Sequence, residues 1–174
     1  MKTKRVFGIW GLALAALLAS TGCGPKKKEV TELQRKEAAH HASEAQFAVT
    51  VRDYTRAEAS LLKAVGATPD DGELWVKLGA TRVRLGNRDG AGEAYRSALK
   101  AYEADAAEPK AKSDPDPLLR QVYVLALLGR VDDARALVEK TAKKFPDNRN
   151  VKRFVEEKEL DRIVTAPAFK EMAL

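Results

Sequence analysis

Residues 75–99 read WVKLGATRVRLGNRDGAGEAYRSAL, and this stretch decides the fold. Trp75, Leu78, Gly79 and Arg82 recur three or four apart and share one helix face. Beyond a break at Gly86-Asn87, Ala91, Tyr95, Ala98 and Leu99 do the same. The spacing predicts two short amphipathic helices joined by a tight turn and packed antiparallel. Gly79, Ala91 and Ala98 lack bulk, so the two backbones can approach closely. Trp75, Leu78 and Tyr95 are the knobs that fill the remaining space. Neither helix can bury its apolar stripe alone, so the unit needs copies of itself to stack on.

Copies are present. The pattern W-x2-LG, then G, then A-x3-Y-x2-AL resembles the tetratricopeptide repeat, whose period is about 34 residues. One period upstream, Ala57, Leu61, Ala64 and Pro69 occupy the matching places. Downstream, Leu118, Leu125, Gly129, Ala134, Val138 and Pro146 fit the same frame. Pro69 and Pro146 stand 77 apart, against about 68 for two periods. The excess of about nine residues falls in Glu103–Asp114, where periodicity lapses. Three repeats result, Ala38–Asp71, Gly72–Asp105 and Pro115–Asn148. Arg82 stands where the repeat usually carries an aromatic, His41 replaces the large aromatic of the first repeat, and Glu103 replaces the closing proline of the second. The expected fold is all-α: a short α-solenoid of about three antiparallel helix pairs. A capping helix and tail close it, with Val151, Phe154, Val155 and Leu160 as the apolar stripe of residues 149–174. The phrase Leu160–Leu174 resembles a segment that ends groups of these repeats. Pro167 would start a short helix there, and Phe169 would tuck beneath the last pair.

The amino-terminal stretch is not part of that fold. Met1–Arg5 is basic, Val6–Ala19 is apolar and uncharged, and Ser20-Thr21-Gly22-Cys23 is small. This is the layout of a secretory signal. Its end resembles a bacterial lipobox, which implies lipidation at Cys23. Residues 1–22 then form a lipoprotein-type signal peptide, 23–29 a lipidated tether and 30–174 the repeat domain. Ser20 stands where a branched apolar residue is usual. Val6–Gly24 is also an uncharged run of nineteen residues, close to the roughly 17–25 of a spanning helix. An uncleaved anchor, or plain secretion, is therefore an alternative. Each alternative puts the repeats outside the cytoplasmic membrane. Cys23 is the one cysteine of the chain, so no intramolecular disulfide supports the core.

The net charge of +6 owes half its value to Lys2, Lys4 and Arg5. The rest is near balance, which argues against a nucleic-acid footprint. Lys26-Lys27-Lys28 can lie against an anionic bilayer or serve as a solvated tether. No Gly-rich phosphate loop and no strand pattern are present. His40 and His41 are adjacent on a helix, about 100° apart, and neither has a His or Cys three or four residues away. No catalytic residue, metal site or cofactor is expected, and the chain is not expected to be an enzyme or to take a small-molecule substrate.

Binding remains. In the tetratricopeptide family the first helix of each pair lines a concave groove. The resemblance carries that role onto Ala42, Gln46 and Val49 of the first repeat. The second contributes Val76, Ala80, Val83 and Arg84, and the third Leu119, Tyr123, Ala126 and Leu127. Lys77 and Arg120 lie at the edge. Val76 and Ala80 replace the Lys and Asn of the family's carboxylate clamp, so an apolar groove with a basic rim is expected. Such a groove suits an amphipathic helix or an extended apolar peptide; the alternative is that these residues pack under the amino-terminal helix or the carboxyl-terminal tail, which leaves no open groove. The expected function is a non-enzymatic interaction scaffold, lipid-anchored in a bacterial envelope and facing the periplasm, with the outer membrane preferred over the inner. It would assist assembly of an envelope or pilus complex. The alternative is an adaptor held by an uncleaved transmembrane helix in an inner-membrane complex.

Overall fold

The computed structural model describes residues 29–174. The signal-like run, Cys23 and Lys26–Lys28 lie outside the described residues. Among the described residues every regular element is helical: α1 (Glu32–Thr50), α2 (Tyr54–Ala67), α3 (Gly72–Arg84), α4 (Arg88–Ala107), a 3-10 turn at Pro109–Lys112, α5 (Asp116–Leu127), α6 (Val131–Lys144), α7 (Arg149–Glu156), α8 (Glu159–Thr165) and α9 (Pro167–Lys170). None of these is long and apolar enough to cross a membrane.

Short polar side chains set the helix starts. Thr31 and Gln34 form a reciprocal capping box on α1. The carboxylates of Asp53 and Asp71 and the side-chain oxygens of Asn87 and Asn148 accept from the first free N–H groups of α2, α3, α4 and α7. α1 begins six residues before the first repeat frame, as an extension of it.

Three turns share one geometry. Between α1 and α2, Asp53 N–H donates to Ala48 O (2.9 Å) and Arg52 N–H to Val49 O (3.0 Å). Between α3 and α4 the pairs are Asn87 to Arg82 O and Gly86 to Val83 O, both 2.9 Å. Between α5 and α6 they are Arg130 to Leu125 O and Gly129 to Ala126 O, again 2.9 Å. The residue closing each first helix is left-handed: Arg52 at φ 61°, Gly86 at 78° and Gly129 at 73°. This is the Schellman termination. Arg52 and Gly86 are 34 residues apart and Gly86 and Gly129 are 43 apart. The longer interval is absorbed by α4, which runs on to Ala107, and by the 3-10 turn, whose Ala111 is buried.

Helices pack against their sequence neighbours, in order from α1 to α6. The α3–α4 contact is close at two glycines. A Cβ on Gly79 would overlap the Tyr95 ring, and one on Gly72 would overlap the Tyr102 ring. Numbers rise along α3 as they fall along α4, so the two run antiparallel. Two linked cores follow. One joins α1 to α4 through Ala38, Leu61, Leu74, Leu78 and Ala94. The other runs from Tyr95 and Tyr102 through Val122, Val124 and Leu127 to Leu160 and Phe169.

Trp75 packs against both cores, as a knob should, but it is only half buried, with its indole N–H donating to Pro69 O at 2.9 Å. Arg82 does more than fill an aromatic's place. It bonds Glu58 on α2 (2.8 Å) and Gly90 O on α4 (2.9 Å), tying three helices together from a largely buried position.

The carboxyl-terminal region also departs from the expected single capping helix. Lys158, at φ 50°, breaks it into α7 and α8. A lysine in this left-handed conformation leaves no signature in the sequence, whereas a glycine would. Arg135 on α6 holds α8 through Asp161 at 2.9 Å. After the extended Ala166, the chain turns at α9 and crosses the face shared by α1, α3 and α5.

Candidate binding face

The residues assigned to the groove are brought to one face of the molecule and then divided between two environments. One half lies over the first turns of α3 and α5. Here Val76, Leu119 and Tyr123 surround an open cavity of about 360 Å³, with Glu73, Tyr102, Asp116 and Arg120 completing it. Lys77 stands beside it, paired to Glu73 at 2.7 Å. That bond with Lys77 lowers the Glu73 carboxyl below the usual glutamate range. Burial raises the Tyr102 phenol, partly opposed by the Arg120 guanidinium 5.7 Å over its ring.

The expected basic rim is corrected to a mixed one. The adjoining cavity is lined by Asp70, Asp71, Glu73, Asp105, Glu108, Asp114 and Asp116, against Arg35, Lys110 and Arg120. These carboxylates come from two stretches, 70–73 and 105–116, brought together by the packing of α3, α4 and α5, which is why charge spacing along the chain did not reveal them.

The other half lies over the last turns of α3 and α5 and is not open. The chain's own Phe169 is buried there, edge-on to Tyr123 with ring centroids 5.7 Å apart at 73°. Tyr95 hydroxyl donates to Met172 O at 2.6 Å. Arg88 donates to Ala173 O at 3.2 Å, and Leu174 N–H donates to Leu127 O at 2.9 Å. Of the assigned groove residues, Leu127 is only 1% exposed and belongs to the core. Val83 is half buried against that core. Arg84 points outward, bonding the Tyr54 hydroxyl at 2.9 Å and approaching Glu171 at 3.9 Å. A residual cavity of about 150 Å³ remains between Met172 and Ala42, Gln46, Val49, Ala80 and Arg84. Val83 and Leu127 therefore do not face solvent across an empty groove, whereas Arg84 stays exposed at its edge. The tail was legible in part: Phe169 does tuck beneath the α5–α6 pair, against Tyr123.

The histidines sit elsewhere. His41 Nδ1 meets Glu44 Oε2 at 2.9 Å and His40 Nε2 lies 3.6 Å from Oε1 of the same carboxylate. Both rings thus converge on Glu44 despite their angular separation, and this carboxyl is lowered chiefly by its bond to His41. Among the described residues no three metal-ligating side chains are grouped to hold an ion.

Among known proteins, no family model matches the chain, and no curated protein matches it.

Proposed function

We propose that the chain is a non-enzymatic protein–protein interaction scaffold, built as a tetratricopeptide-like solenoid and held by lipid at Cys23 in a bacterial envelope. The thrice-repeated turn at Arg52, Gly86 and Gly129 supports the repeat reading. The observation that carries the function is the face of α3 and α5. Half of it stays open, floored by Val76, Leu119 and Tyr123, while the other half already holds a peptide segment. A surface that folds around one apolar segment has the chemistry to take another. The acidic loops beside the opening favour a partner whose apolar residues are flanked by Lys or Arg.

Two measurements test this reading. Cells grown with a tagged fatty acid should label the wild-type chain and leave Cys23→Ser unlabelled. A photo-crosslinking residue at position 119 should capture one defined envelope protein in intact cells, whereas the same residue at the remote position 139 should not. Label persisting on Cys23→Ser removes the anchor. Equal capture from both positions removes the binding face.

A further inference from the structure

The segment Ala166–Leu174 lies on its face in the way a bound peptide would. One helical turn presents Phe169 to Tyr123, and turn bonding runs on until the Met172 and Ala173 N–H groups both donate to Phe169 O. Three main-chain groups are recognised there, at Met172, Ala173 and Leu174, by Tyr95, Arg88 and the Leu127 carbonyl. That carbonyl belongs to the last turn of α5, where helical acceptors are left free. Main-chain bonding is indifferent to sequence, so selectivity rests on the Phe169, Met172 and Leu174 side chains. Meanwhile Pro167, Ala168, Lys170 and Glu171 face solvent, and the hinge at Thr165-Ala166 is not buried. None of these contacts requires the segment to belong to the same chain.

We propose that Ala166–Leu174 is a cis-bound placeholder. In its place the face takes a partner segment of the same chemistry: an aromatic residue on one helical turn, with aliphatic residues three and five positions later where that turn ends. This rests on the reading of the α3–α5 face as a binding surface. It adds that the filled half is part of the same site and opens by exchange. A tethered segment competes at high effective concentration. The affinity of a segment offered in trans is therefore reduced by the fraction of molecules whose tail is released.

The probe is a fluorescent, amide-ended peptide of sequence APAFKEMAL, titrated by anisotropy into the full chain. A full-length Phe169→Ala/Met172→Ala variant should bind it at least tenfold more tightly than the wild type. A peptide with its phenylalanine replaced by alanine should bind neither. Equal affinity for both proteins, or no binding to a variant that keeps its helical signal and melting, overturns the proposal. Because that variant could lose its fold, hydrogen exchange of the wild type gives an independent reading. The Leu174 amide should exchange at least tenfold faster than that of Val124 in α5. Equal rates would make the tail part of the core and overturn the proposal. A dimer that the peptide dissolves would overturn it in favour of a second copy's tail. If the peptide fails while crosslinking at position 119 still captures a partner, the exchange falls and the scaffold reading stands. If the peptide binds while that capture fails, the exchange stands and the scaffold reading falls.

Discussion

In the second half of α3, Tyr95 stands over Gly79 and the chain's own tail crosses above them; at its first turn, Tyr102 stands over Gly72 and the face is open. The two steps are seven residues apart on both helices and use the same device, a ring laid on a helix with no Cβ. Only what covers them differs. Tyr95 is fully buried and bonded to a residue 77 positions away. Tyr102 keeps Arg120 and a cavity on its outer side. The comparison separates two sources of burial on one surface. Neighbouring helices supply it at both steps, and a distant segment completes it at one.

The largest expected effect is at that completed step. Tyr95→Ala should destabilise by about 3–5 kcal/mol, the range for emptying a buried aromatic site. It also removes the anchor for Met172. Thermal melts followed by circular dichroism check this. A loss no greater than that of Leu119→Ala would erase the distinction between the halves.

Glycine substitutions come next. Gly79→Ala forces a methyl into a ring that cannot retreat, because the tail lies behind it; about 1–3 kcal/mol should be lost. Gly72→Ala meets a ring with open space beyond, at the first residue of α3, and should lose less than about 1 kcal/mol. Urea midpoints of the two variants measure the gap. A reversed order would mean that Tyr102 is the more tightly held ring.

The local parts of this architecture were readable in the sequence, and the non-local parts were not. Gly79, Tyr95 and the Gly86-Asn87 break gave the central pair because helix period, small-residue spacing and turn chemistry all act within a few residues. The break of the capping segment at Lys158 was hidden, because nothing in a lysine announces a left-handed backbone. Arg82 read as a missing aromatic, since its partners Glu58 and Gly90 O lie on other helices. The candidate face was legible as a set: Val76, Leu119 and Tyr123 do line an opening. Its filling was legible in part: the terminal phrase puts Phe169 beneath the last pair, but the bonds of Met172 and Leu174 to Tyr95 and Leu127 depend on tertiary approach and on no periodicity.

A smaller effect concerns pH. Burial raises the phenols of Tyr95, Tyr102 and Tyr123 above the ordinary tyrosine range. A group with a raised folded-state pKa contributes stability that is whole below its unfolded value, near pH 10, and is lost as pH rises through the folded value. The protein should therefore lose stability progressively above about pH 10, with phenolate absorbance rising together with unfolding. Tyr95→Phe should cost about 0.5–1.5 kcal/mol at neutral pH through the lost bond to Met172 O. It should also flatten the alkaline loss. An unchanged alkaline slope would place the sensitivity in the open half, on Tyr102.

The smallest expected change in stability carries the most functional information. Val83→Glu and Tyr123→Glu cannot separate binding from folding, because both side chains pack against the core that holds Phe169. Leu119 is better placed. It lines the open cavities on either side of α5 and lies outside the buried clusters. A glutamate there stays in the first half of its helix, where negative charge is favoured by the macrodipole. Leu119→Glu should therefore shift stability by no more than about 0.5 kcal/mol, as at an ordinary surface position. It also puts a charge on the apolar floor, next to Asp116 and the other carboxylates of the neighbouring loops. A partner that brings apolar residues must then bury that charge, so capture in cells should fall at least tenfold, with melting and helical signal unchanged. Leu119→Met keeps the apolar surface and should keep capture. If Leu119→Glu captures as the wild type does, the open half is not the working surface, and the half beneath the tail is left to account for binding.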